Sequence, residues 1–116
     1  AACRAGAAHP PAIFVPSEGD PCLLAGSGDL IGMFKNAKFP HSEMKVKKGD
    51  RVVIITDGLL EGANTSVWTN NPKFILQHFS SVSNYALNDI PEKIFEMYIP
   101  KGVKVKDDVI VLVTEI

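Results

Sequence analysis

The chain predicts an α+β fold, an antiparallel β-sheet flanked by two amphipathic helices, and three observations lead there. In residues 51–61, four consecutive β-branched apolar residues, Val52, Val53, Ile54 and Ile55, follow the turn-like Lys47-Lys48-Gly49-Asp50 and lead into Thr56-Asp57-Gly58. Such a run reads as a strand buried on both faces, delivering one carboxylate, Asp57, at its end. Residues 107–116 supply a second apolar strand, here preceded by the carboxylates Asp107 and Asp108. Between the two lie a pair of segments whose apolar residues recur at helical spacing.

The remaining elements follow in order. Residues 3–15 are apolar on either side of His9-Pro10-Pro11. Consecutive prolines cannot donate to a ladder, so this segment predicts two strands meeting at a bend, with His9 structural. Ser17-Glu18-Gly19-Asp20-Pro21 is a turn by composition, and residues 22–25 are a short strand. Gly26-Ser27-Gly28-Asp29-Leu30-Ile31-Gly32 misses the dinucleotide-binding fingerprint by one residue and reads as a turn. Residues 43–47 alternate polar and apolar, predicting a half-exposed strand hairpinned through Lys48-Gly49-Asp50 onto the strand at 51. After Glu61 the chain turns polar as far as Asn71, a loop holding the sole Trp, Trp68, read as cover for the sheet edge. Asn71 then Pro72 predicts a helix start, with Phe74, Ile75, His78, Phe79 and Val82 at helical spacing. Asn88-Asp89 predicts the cap of a second helix, striped by Ile90, Ile94, Phe95, Met97 and Tyr98 and stopped by Pro100-Lys101-Gly102.

Bulk properties bound the function. A chain of 116 residues, 46% hydrophobic and 22% charged, is one domain at most and of ordinary soluble globular composition. The net charge of −1, with both signs interspersed, points to neither nucleic acid nor an anionic membrane as partner. Two lysine clusters, Lys45, Lys47 and Lys48, and Lys101, Lys104 and Lys106, read as solvated edges and loops, with attraction of substrate as the alternative. Cys3 and Cys22 match no metal or redox spacing and are expected free and reduced in a cytosol. No run is long enough for a membrane span, and the absence of an initiator Met predicts a fragment of a longer protein. Ser-His-Asp, Cys-His and Cys-x-x-Cys arrangements are absent, so nucleophilic and zinc chemistries find no support.

The carboxylates carry the chemistry. If the strands at 52–55 and 109–116 pair antiparallel, the end of the first meets the start of the second, bringing Asp57 close to Asp107 and Asp108. Clustered carboxylates repel unless a cation sits between them, and carboxylates without His or Cys favour Mg²⁺ or Mn²⁺. Taken singly, Asp-Gly after a strand is a turn and Asp-Asp before one a solvated start.

In this order, Ala7-Ala8-His9-Pro10-Pro11-Ala12, Gly28-Asp29-Leu30-Ile31-Gly32-Met33-Phe34, Thr56-Asp57-Gly58-Leu59-Leu60-Glu61 and Asp107-Asp108-Val109-Ile110 resemble the SpoIIE-like (sporulation stage II E) branch of the metal-dependent protein phosphatase 2C type family. Ala8 stands where that pattern has Gly, and Ile110 where it often has Thr. The resemblance implies that the sheet is part of a β-sandwich. It implies hydrolysis of phosphoserine or phosphothreonine by direct attack of water activated on two Mn²⁺ or Mg²⁺ ions. Asp57 and Asp107 would be metal ligands, Asp108 a neighbour that orients Asp107, Gly58 the keeper of a tight turn, and Glu61 turn or surface. The substrate it implies is a phosphorylated regulatory protein of the anti-anti-sigma kind, with a sensory or receiver domain elsewhere in a cytoplasmic parent. The family's first ligand, in an Asp-x-x-Gly-His-Gly-like motif, has no counterpart in residues 1–116. The expectation is therefore the C-terminal part of one phosphatase domain, inactive alone. The competing class is a degenerate phosphatase-like adaptor in bacterial signalling.

Overall fold

Strand β5, Arg51–Ile55, lies inside the larger of two sheets, as its run of β-branched residues demands. The computed structural model describes residues 2–5, 11–24, 29, 31–62 and 72–116. On one side β5 pairs with β2 (Ala12–Val15), in the register Ile13↔Val53 and Val15↔Arg51. On the other it pairs with β6 (Val111–Glu115), from Arg51↔Glu115 to Ile55↔Val111. A short strand, β3 (Cys22–Leu24), completes an antiparallel sheet ordered β3-β2-β5-β6. The β2–β3 connection turns through the predicted 17–21 segment, with Gly19 at φ 110°. Strands β1 (Ala2–Ala5) and β4 (His41–Met44) form a separate antiparallel pair.

Three α-helices stand among the described residues: α1 (Asp57–Gly62), α2 (Pro72–Phe79) and α3 (Ile90–Tyr98), with 3-10 turns at Val82–Asn84 and Leu87–Asp89. Residues opposite one another across strands share a sheet face. The face carrying Ile13, Val15, Val53 and Ile55 is buried, and its core is completed by Leu59, Phe79, Val82, Ile90, Ile94, Tyr98 and Ile99 from the helical segments. Full burial of each large apolar side chain contributes roughly 1.5–3 kcal/mol, so this layer is a large favourable term in folding. The architecture is the α+β arrangement that the sequence predicts, an antiparallel sheet with helices packed on it. Among the described residues no helix is long and apolar enough to cross a membrane.

Several local expectations are corrected. β5 is not buried on both faces: Ile54 is 36% exposed and its neighbour across the ladder, Leu112, is 54% exposed, because the helices cover only the face of Val53 and Ile55. The strand expected at 43–47 is His41–Met44, and it pairs with β1 instead of hairpinning onto β5. Both hydrogen-bonding edges of β5 are taken by β2 and β6, so no edge is left for it. Residues 57–62 are helical, where the sequence suggests only a turn. Val82 belongs to a separate 3-10 turn after α2. Asp89 occupies the N-cap position of α3 with a helical backbone and makes no side-chain cap, because the preceding Leu87–Asp89 turn already leads the chain into the helix. His9, Gly26, Gly28, Trp68 and Asn71 lie outside the described residues.

Two charged side chains tie the sheet to its surroundings. Buried Asp50 accepts the backbone N–H groups of Ser17 at 2.8 Å and Lys47 at 2.7 Å, joining the β2–β3 turn to the loop that enters β5. Gly49, at φ 90°, donates its N–H to Ile116, and Ile116 donates back to the Asp50 carbonyl, closing the chain end onto the same loop. The Ser17 amide, then the Lys47 amide, hold the Asp50 carboxyl below its ordinary value of 3.8, outweighing the opposing effect of desolvation. Arg51 donates from one terminal nitrogen to the Val82 and Tyr85 carbonyls, each at 2.7 Å, and its Nε meets Glu115 at 2.8 Å.

Replacing Arg51 by Met is expected to lower stability by about 2–3 kcal/mol, the scale of lost hydrogen bonds from a charged group, while Glu115→Gln costs under about 1 kcal/mol because that pair is exposed. Urea denaturation of both variants checks the difference. Because the folded state favours ionised Asp50, its contribution is complete above the ordinary carboxyl value and is lost as pH falls through 3.8 and below. Asp50→Asn should therefore flatten the acid limb of the stability profile, read as melting temperature against pH.

Candidate functional site

The β5–β6 ladder does not stop at its last paired residues. Thr56, the residue after β5, donates its N–H to the Ile110 carbonyl at 3.1 Å. Its hydroxyl accepts the Ile110 N–H at 2.9 Å and donates to the Asp108 carbonyl at 3.2 Å. Thr56 thus stitches the end of β5 to the segment before β6 by three hydrogen bonds, and its own carbonyl accepts the Leu59 N–H of the first turn of α1. Leu59 is fully buried in the core and anchors that short helix. Asp57, first residue of α1, is left exposed at the sheet end, its charge complementing the helix dipole.

Gly58 is buried, and its place explains its identity. A Cβ there would overlap the Asp108 carbonyl oxygen and stand 2.9 Å from the carbonyl carbon and 3.2 Å from the Asp107 oxygen. Gly58 has no positive φ; the missing Cβ allows backbone to lie directly on the Asp107–Asp108 peptides. Asp107 is exposed, and its Oδ1 accepts the Asp108 N–H at 2.7 Å, which steers the carboxylate. Residues 105–109 line a shallow, open depression of about 490 Å³.

The structure therefore gathers Asp57, Gly58, Asp107 and Asp108 at one end of one sheet. The sequence reading missed Thr56, whose signal was a hydroxyl placed between an apolar strand and its carboxylate. A hydroxyl also bears on Ile110: the one that bonds this junction comes from across the ladder, and the Ile110 side chain is 60% exposed. The donor types, carboxylate oxygens, suit a hard divalent cation. Among the described residues no group of three or more His, Cys, Asp or Glu side chains converges to hold one.

Gly58→Ala supplies a test of the close approach by its sign. In an ordinary helix interior the change stabilises by roughly 0.5–1 kcal/mol. Here it is expected to destabilise by about 1–3 kcal/mol, because the added methyl must displace the Asp108 carbonyl. Thermal denaturation decides it.

Comparisons with known proteins bear on the same features. No curated protein matches the chain in sequence. Among solved structures, the RsbU and RsbW domains of Rv1364c from Mycobacterium tuberculosis share the fold with a TM-score of 0.78 at 19% identity, over 97% of this chain and 32% of that one. The phosphatase domain of the cell fate determinant SpoIIE from Bacillus subtilis, in an Mn-presoaked form, matches with a TM-score of 0.59 at 17% identity, over 94% of this chain and 47% of that one. The chain thus spans under half the length of either solved chain. The family model described as stage II sporulation protein E (SpoIIE) matches residues 2–116, and with nearly the whole chain covered, the protein belongs to the SpoIIE family.

Proposed function

We propose that the protein carrying this chain is a Mg²⁺- or Mn²⁺-dependent phosphatase of the protein phosphatase 2C type, hydrolysing phosphoserine or phosphothreonine on a regulatory protein. The observation that carries this reading is the β5–β6 register. It ends with Ile55 opposite Val111, so two carboxylates about fifty residues apart in sequence emerge at one sheet end, and Gly58 has no Cβ to hold them apart. Family membership and the phosphatase domain named in one structural relative support the reaction class.

Asp57 and Asp107 are the residues that would hold the metal. When bound, a pair of such ions supplies a water acidic enough to attack phosphorus at neutral pH. The chain's own contribution is placement. Leu59 fixes α1 in the core and with it Asp57; the Asp108 N–H holds one oxygen of Asp107 and leaves the other to face a ligand. Thr56 keeps the two motifs in register. Two carboxylates are too few for two six-coordinate ions, so residues 1–116 alone are expected to be inactive, as the C-terminal part of one domain. The substrate is proposed to be an anti-anti-sigma-like phosphoprotein, met in the cytoplasm by a protein that also carries a sensory or receiver domain. The RsbU and SpoIIE names of the structural relatives favour such a regulatory setting.

Calorimetric titration of the full-length protein with Mn²⁺, beside turnover of a phosphoserine peptide, tests this. Asp57→Asn and Asp107→Asn are each expected to weaken Mn²⁺ binding at least tenfold and to cut turnover by about a hundredfold or more. Unchanged Mn²⁺ affinity and turnover in both variants would sink the proposal. Peptide binding without turnover or metal would favour the adaptor.

A further inference from the structure

We propose that Lys106 is the cationic group that binds the phosphoryl oxygens of the substrate at this site, a step that rests on the phosphatase reading. The depression at the end of β6 is lined by Val105, Lys106, Asp107, Asp108 and Val109. Its two valines are half-buried and packed against the core, so they pin the segment at both ends. The three charged residues between them stand exposed, and one of the three is a cation. Lys106 thus lines the same surface as Asp107 and is its immediate neighbour in the chain.

The charge pattern makes that position purposeful. A phosphate monoester brings close to two negative charges towards exposed carboxylates, and any of its oxygens not on a metal needs a donor. A lysine ammonium, a compact point charge with three donors on a flexible stem, suits that task. Two carboxylates follow Lys106 directly, yet among the described residues the ion pair within 4.0 Å is Arg51 with Glu115, which leaves the Lys106 ammonium available. Lys101 and Lys104, nearby in the chain, are exposed too, and no acidic residue stands between Glu96 and Asp107. They add a diffuse positive field, whereas only Lys106 lines the depression.

The test uses the full-length protein loaded with Mn²⁺ and three variants, Lys106→Gln, Lys106→Arg and Lys104→Gln. The readouts are kcat and KM on a phosphoserine peptide, inhibition by inorganic phosphate, and Mn²⁺ affinity by calorimetry. Lys106→Gln is expected to raise KM and weaken phosphate inhibition by about tenfold each, the scale of one charge-assisted hydrogen bond, with Mn²⁺ affinity not weakened. Lys106→Arg should restore most of the loss, and Lys104→Gln should change either value by less than about threefold. A working phosphatase in which Lys106→Gln leaves KM and phosphate inhibition unchanged overturns the assignment alone. Equal losses in Lys104→Gln and Lys106→Gln overturn it in favour of the general field. A wild-type protein that neither binds Mn²⁺ nor hydrolyses the peptide overturns the phosphatase reading and this assignment with it.

Discussion

The antiparallel pairing of β5 with β6 is the constraint on which the rest of this structure depends. Each strand is mostly apolar, so both must find a place in the sheet, and their pairing brings residues far apart in sequence into one ladder. The long excursion between them is then obliged to return across one sheet face. It does so as helices that bury Phe79, Ile90, Ile94 and Tyr98 on Val53 and Ile55. A slip of one residue would turn Val53 and Ile55 away from that layer, so burial holds the register that also sets where the two carboxylate motifs emerge.

Around that ladder, polar groups act as fasteners. Asp50 and Arg51 are consecutive, yet one binds the β2–β3 turn and the other the 3-10 turn at Val82–Asn84 and the residue after it. Successive side chains of a strand entry point in opposite directions, so two adjacent charged residues can secure different parts of the fold. At the other end of β5, Thr56 and Gly58 act together. The hydroxyl fastens the ladder beyond its last pair, and the missing Cβ lets helix and loop close to backbone contact. Well-bonded elements thus flank the exposed Asp57 and Asp107 at this end of the sheet.

The exposed apolar residues of β5 and β6 carry a different lesson. The run Val52 to Ile55 looks the same as a strand buried on both faces, yet Ile54 and Leu112 remain open on the face away from the helices. Composition reports which residues can be buried, while partners decide which are. Likewise, polar–apolar alternation at 43–47 marked a half-exposed strand near its place, but not the strand it pairs with. The available edge, and not the nearest one in sequence, receives a strand.

The sequence by itself determined the α+β class, the two apolar strands, the helices at 72 and 90, and the positions of Asp57 after one strand and of Asp107 and Asp108 before the other, because local periodicity and chain order encode these. Only the tertiary structure decided that β4 leaves β5 for β1, that Asp57 opens a helix, that Thr56 bonds across the ladder, and that Gly58 is required by the Asp108 carbonyl. Each of these depends on a contact between residues far apart in the chain, and pairings of that kind leave no periodic trace in either partner's sequence.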